Sequence, residues 1–243
     1  MRIWLVVLLN TIVLVFGWVT HTPSFRESHH HDVTSSRLLS HDAAIVWECS
    51  DTGEWIETSI KNDAAVETWR WCCDFVVPLN LCPWAAASVN TSGALRIYLS
   101  EQSEMEDSVL EAAKRLHQDI ENNIVDPGVA IAFVVCSDRD WKFSSFYEWF
   151  DNLEESFEFE DDFVTLAPFH PDWQFGDGPP ELNIEKQSPY PTVTVVCTSV
   201  IDNAGAAATE AIVEHNERVL LDMGVSKLRE LYQTNVFHKD SPS

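Results

Sequence analysis

The stretch VAIAFVVC at residues 129–136 decides the fold, because it is apolar from end to end and only strand-length. Such a run predicts a central strand covered on both faces, as in the sheets of α/β proteins. Upstream, Ser103-Glu104-Met105-Glu106 has the form of a capping box. Met105, Val109, Ala112, Leu116 and Ile120 follow it on one helical face, and Asn122-Asn123 with Pro127-Gly128 close that helix. Residues 95–99 (LRIYL) alternate like a half-buried strand. Residues 61–77 place Val66, Trp69, Cys73 and Val76 at helical spacing before Pro78.

Downstream the alternation continues. Ser145 and Glu148 suggest a second capping box, with Phe146, Phe150, Leu153 and Phe157 turned inward. Residues 163–169 read as a strand, and a long loop rich in Pro, Gly and aromatics follows. Residues 192–197 form the fourth strand, and residues 206–223 the last helix, ended by Gly224. This pattern predicts the α/β class: a single domain over residues 45–235, with a mixed, largely covered sheet of about four strands packed by helices. Residues 236–243 read as a disordered tail.

The chain has 243 residues, 39 of them acidic against 15 Lys and Arg, for a formal net charge of -24. That balance argues against nucleic acid as a partner, and against an anionic membrane surface. A small-molecule ligand is the partner class left open. Residues 3–25 carry no formal charge and follow Met1-Arg2, which reads as a secretory signal sequence over residues 1–24. An uncleaved anchor through residues 3–25 is the alternative, although Asn10 and Thr11 interrupt the apolar stretch. Residues 25–44, rich in Ser and His, form a disordered leader similar to the bipartite plastid presequences of algae. Removal of that presequence would leave no stable membrane association.

Three blocks carry a resemblance. Leu79-Asn80-Leu81-Cys82-Pro83-Trp84-Ala85, Phe169-His170-Pro171-Asp172-Trp173-Gln174-Phe175 and Ser188-Pro189-Tyr190-Pro191-Thr192 resemble, in this order, the signature blocks of the family called domain of unknown function 1415. The resemblance implies a map of site residues without an activity or a cofactor. This chain departs from the family pattern at Gln187, where the family usually has Arg. It departs again after the third block, where Thr194, Cys197 and Thr198 replace a His and charged residues.

Two functional readings follow. Cys82 precedes Pro83 at a helix start, where a positive dipole end would lower a thiol pKa. His170 ends a strand, and the Asp172 carboxylate could fix its tautomer. Cys82, His170 and Asp172 would then be nucleophile, base and orienter of a hydrolase or transferase acting on a small molecule. Asn80, Trp84, Trp173, Gln174, Tyr190 and Asn216 are the candidate binding residues; Asn216 also fits a buried hydrogen-bonding role. Cys, His and Asp can ligate zinc, but neither CxxC nor HxxxH spacing supports a metal site. The other reading is a non-catalytic binding or accessory protein whose aromatic loop holds a ligand or partner. The remaining cysteines read as structural, with Cys49 the expected exception if a bridge forms.

Overall fold

The apolar run becomes β4, Ile131–Cys136, and every residue in it is buried. In this computed structural model, residues 45–49, 55–58, 60–157, 163–174 and 178–237 are described. The signal sequence, the leader, Phe175 and the side chain of Cys49 lie outside them. Against β4 lie β3 (Leu95–Ser100), parallel, and β6 (Thr192–Cys197), antiparallel. β5 (Val164–Phe169) is antiparallel to β6 at one edge. On the far side β1 (Ile45–Cys49) runs parallel to β3 and carries the antiparallel β2 (Trp55–Thr58). The sheet is therefore mixed and six-stranded, in the order β2-β1-β3-β4-β6-β5.

Helices cover both faces. α1 (Asp63–Arg70) opens with the Asn62 side chain accepting from the Ala64 N–H at 2.8 Å, and runs directly into a π-helical turn, Trp71–Val76. α2 (Ala85–Asn90), α3 (Met105–Glu121), α4 (Phe143–Ser156) and α5 (Pro180–Ile184) follow, then α6 (Thr198–Met223) and α7 (Val225–Phe237). One layer joins Trp69, Phe75, Leu220 and Leu228 to Ile97, Phe133 and Phe169 of the sheet. The other joins Leu116, Phe146 and Phe150 to Tyr98, Val134 and Val195. The single α/β sheet packed by helices agrees with the sequence reading. Among the described residues, no helix is long and apolar enough to cross a membrane.

Several details differ from expectation. The sheet has two more strands than the four foreseen, because β1 and β2 are short and sit next to a polar leader. β3 is buried on both faces, not half-buried. Its Arg96 is tolerated there because its guanidinium meets the Asp119 carboxylate of α3 at 2.7 Å. Neither capping box forms. α3 enters from a 3-10 turn, Gln102–Glu104, without a side-chain cap, and the Ser108 hydroxyl donates to the Glu104 carbonyl at 2.8 Å. α4 begins at Phe143, so Ser145 falls inside its first turn.

The helix foreseen over residues 206–223 is present as the second part of α6, and a short helical segment from Thr198 precedes it across Gly205, whose φ of 74° and ψ of 162° only glycine adopts without strain. It is not the last helix. α7 follows Gly224 and carries the fold to Phe237, past the boundary placed at 235, because Val236 is buried. The long aromatic loop is built in. The His170 N–H donates to the Lys186 carbonyl at 3.1 Å, and Trp173, Lys186 and Ser188 are buried.

Candidate functional site

Asn80 sits at φ 53°, a left-handed conformation that Asn tolerates better than most residues, and so turns the chain out of the π-helical turn. Leu81 is then buried, and its carbonyl accepts from Asn216 Nδ2 at 2.9 Å across the layer of helices. This anchoring presents Cys82, Trp84 and Ala85 to a pocket whose other walls include Trp71, Phe133, Phe169, Val200 and Ile201. About 780 Å³ there is not filled by protein atoms, its mouth included, and about 60 Å³ is open to the centre of a water-sized sphere. The polar side-chain groups among the walls are few: Glu185, Thr194, the indole N–H groups of Trp71 and Trp84, and the thiols of Cys72, Cys82 and Cys197.

Cys82 is not a helix cap. Trp84 takes that position before the short α2, which is too brief to supply a strong dipole end. Burial raises the Cys82 thiol above its ordinary value, and the backbone N–H groups of Ala85 and Trp84 only partly offset this. The direction is opposite to the lowered thiol pKa expected of a nucleophile. Iodoacetamide should label Cys82 more slowly at neutral pH than an ordinary exposed thiol, with a rate that keeps climbing to higher pH. A labelling rate already at its plateau by pH 7 would restore the activated thiol.

His170 does follow a strand, but its ring is fully buried and both nitrogens are engaged. Nε2 lies 2.7 Å from the Trp141 carbonyl, and Nδ1 accepts from the Asp172 backbone N–H at 3.0 Å. These partners assign a neutral ring with its proton on Nε2. Burial holds its pKa below 6.5, opposed by the bond to Trp141 and by the Asp172 charge. Asp172 orients the ring through its backbone and not its carboxylate, which correlates with its exposed side chain. The ring packs on Phe143 and Phe146 at 5.4 and 5.2 Å, in the layer of α4, whereas Cys82 packs in the opposite layer. Cys82 lines the pocket and His170 does not.

Of the candidate binding residues, Trp84 lines the pocket beside Cys82. Trp173 and Tyr190 do not. Trp173 packs on Phe143 and Tyr147, and Tyr190 lies under the Arg139 guanidinium, 4.2 Å from the ring centre. Arg139 in turn pairs with Glu67. Gln174 is exposed, and Asn80 lines a separate cavity with Ile212 and His215. Asn216 is buried, with Nδ2 shared between Leu81 and the Glu185 carboxyl at 2.8 Å. At the replaced family positions, Gln187 donates to the Trp173 carbonyl at 3.1 Å and Thr198 meets Thr165 at 3.0 Å.

The sequence reading missed Glu185, Lys186, Val200 and Ile201. Lys186 is 1% exposed, and among the described residues its ammonium has no hydrogen-bond partner. It lies 5.1 Å from the Phe169 ring and 5.6 Å from Trp173. Burial pushes its pKa down to about 8 and pushes the Glu185 carboxyl up to about 7, each opposed by the other's charge. In a loop of mixed polarity nothing local distinguishes these two residues from solvated ones. Among the described residues, no three His, Cys, Asp or Glu side chains are grouped to hold a metal ion.

Comparison with known proteins adds one finding. No curated protein and no solved structure matches the chain. A family described as Protein of unknown function (DUF1415) matches over residues 63–230, from the start of α1 into α7. That span holds all three signature blocks and every wall of the pocket. The chain belongs to the DUF1415 family of proteins of unknown function.

Proposed function

We propose that this protein is a non-catalytic binding protein for a small, mainly apolar molecule. The observation that carries the reading is the pocket beside Cys82 and Trp84, with aromatic and aliphatic walls and few polar groups, the usual composition of a ligand site. A hydrolase or transferase built on Cys82 and His170 finds less support, since a general base needs a free ring nitrogen within reach of the nucleophile. Both nitrogens of His170 already have partners.

Titration with single-ring aromatic compounds, followed by tryptophan fluorescence, tests the reading. Trp71 and Trp84 both line the pocket, so binding should change their emission saturably. Val200→Trp, which fills the space, should abolish the response while the melting temperature stays close to that of the parent. If that variant binds as the parent does, the ligand sits elsewhere.

The location is likewise a proposal, resting on the leader alone: entry to the secretory pathway through residues 1–24, then passage to a plastid. N-terminal sequencing of the protein from its native cell should find residues 1–24 missing. A chain beginning at Met1 in a membrane fraction would replace the presequence with an anchor.

A further inference from the structure

The pocket walls hold one ionisable carboxyl group, a buried hydroxyl and a buried indole N–H, the last two of Thr194 and Trp71 and both without a hydrogen-bond partner among the described residues. Glu185 is the only carboxyl group in those walls, and no Lys, Arg or His joins it among the described residues. The Thr194 hydroxyl is buried without a hydrogen-bond partner among those residues, yet Thr194 lines the pocket, so a group entering there would meet an unsatisfied oxygen. Trp71, Trp84, Phe133 and Phe169 supply aromatic rings, which attract cations. The chain as a whole carries a formal charge of -24, which draws cations toward any opening.

We propose that the pocket takes a small aromatic amine in its protonated form, with the ammonium held by the Glu185 carboxylate and the Thr194 hydroxyl. This rests on the binding reading above and names the chemistry of its ligand. The space not filled by protein atoms, about 780 Å³ with its mouth included, admits a single-ring molecule. The Asn216 amide already donates to one Glu185 oxygen and steadies the carboxyl group, leaving its second oxygen to accept from the ligand.

The other groups around Glu185 bear on its charge. Lys186, next in the chain, opposes the desolvation of Glu185, while Glu217 on α6 reinforces it. Glu154 on α4 acts on Lys186 from the other side. Lys186 does not line the pocket, and among the described residues its ammonium makes no hydrogen bond, so the carboxylate keeps its capacity for a second cation. A ligand ammonium favours the ionised carboxyl group and lowers its pKa on binding. Affinity for an amine should therefore fall as pH drops through 7, where Glu185 becomes protonated.

The experiment is calorimetry at pH 8 with three probes that share one ring: benzylamine, benzyl alcohol and benzoate. Benzylamine should bind at least about tenfold more tightly than benzyl alcohol, the worth of one charge-assisted hydrogen bond. Benzoate should not bind. Glu185→Gln should erase the preference for the amine and keep the alcohol affinity, which also reports that the variant is folded. Thr194→Val should weaken the amine more than the alcohol. Equal binding of amine and alcohol, or an amine preference that survives in Glu185→Gln, would overturn the amine while leaving an apolar-ligand protein. If none of the three binds, the amine and the binding reading fall together.

Discussion

Val134→Asp should cost the protein at least about 3 kcal/mol, the penalty for burying a carboxylate without a partner. Val134 is wholly buried at the middle of the sheet, among apolar side chains that include Tyr98, Val193 and Val195. Arg96, buried near Tyr98 on β3, is already paired with Asp119. Against a typical domain stability of roughly 5–15 kcal/mol, the loss would move a urea midpoint far down or leave the variant insoluble. Ile56→Asp is the companion measurement. Ile56 is 53% exposed on the edge strand β2, so the same substitution there should change stability by less than about 0.5 kcal/mol. Similar midpoints for the two variants would mean that β4 is not the covered centre of the sheet.

The same contrast explains what was legible. β4 is a continuous apolar run and β6 is built largely of Val with two Thr, and such stretches have few places to go except the middle of a sheet covered on both faces. β2 holds Trp55-Ile56-Glu57-Thr58, with Ile56 and Glu57 exposed, and four residues give no pattern to read. α7 was hidden because Leu228 and Val236 are its only fully buried apolar residues, and the Leu231 and Tyr232 between them, only partly buried, are mixed with Arg, Glu, Gln, Thr and Asn. The capping boxes misled for a local reason: a Ser three residues before a Glu occurs inside helices too, and here the helices start elsewhere.

The site divides along the same line. The stretch from Asn80 to Ala85 was readable because Pro, Asn and Cys mark a turn entering a helix, and Cys82 and Trp84 do face the pocket. Its opposite wall comes from Glu185, Thr194, Val200 and Ile201, more than a hundred residues away. Only the pairing of β6 with β4 and the path of α6 bring them across. His170 looked chemical for a reason that is itself structural. His-Pro-Asp at the end of a strand is equally the way to fasten a loop, with one ring nitrogen for each side of the fastening.

His170→Ala should therefore unmake the fold more than any reaction. It would orphan the Trp141 carbonyl and the Asp172 N–H, and open a void against Phe143 and Phe146. With roughly 1–3 kcal/mol for each buried unsatisfied group and a further cavity cost, the loss should reach about 3–5 kcal/mol. Denaturation curves would read it directly. The pH dependence has a definite sign. The folded ring titrates below 6.5, so as pH falls through that window the unfolded chain takes up the proton first and stability is lost. Above the window that contribution is fully present. The acid loss should shrink in His170→Ala, and labelling of Cys82 in the folded variant should proceed at the parent rate. A stable variant with slowed Cys82 labelling would bring the catalytic pair back.

The placement of α7 has a consequence for synthesis. Asn235 Nδ2 donates to the Asp74 carbonyl at 2.9 Å, joining residues 161 apart in the chain, and Leu228 and Val236 fill the layer begun by Trp69 and Phe75. As the chain leaves the ribosome, α3 and α4 can settle on their side of the sheet early, once β6 has emerged. The other side waits. Until residues 225–237 emerge, the grooves they fill stay wet and their apolar walls are open to other nascent chains. Such long-range closure makes folding slow and leaves an interval in which aggregation competes. The half-made protein is thus exposed on the very side that carries its pocket, and a chaperone that shields apolar surface would find its target there.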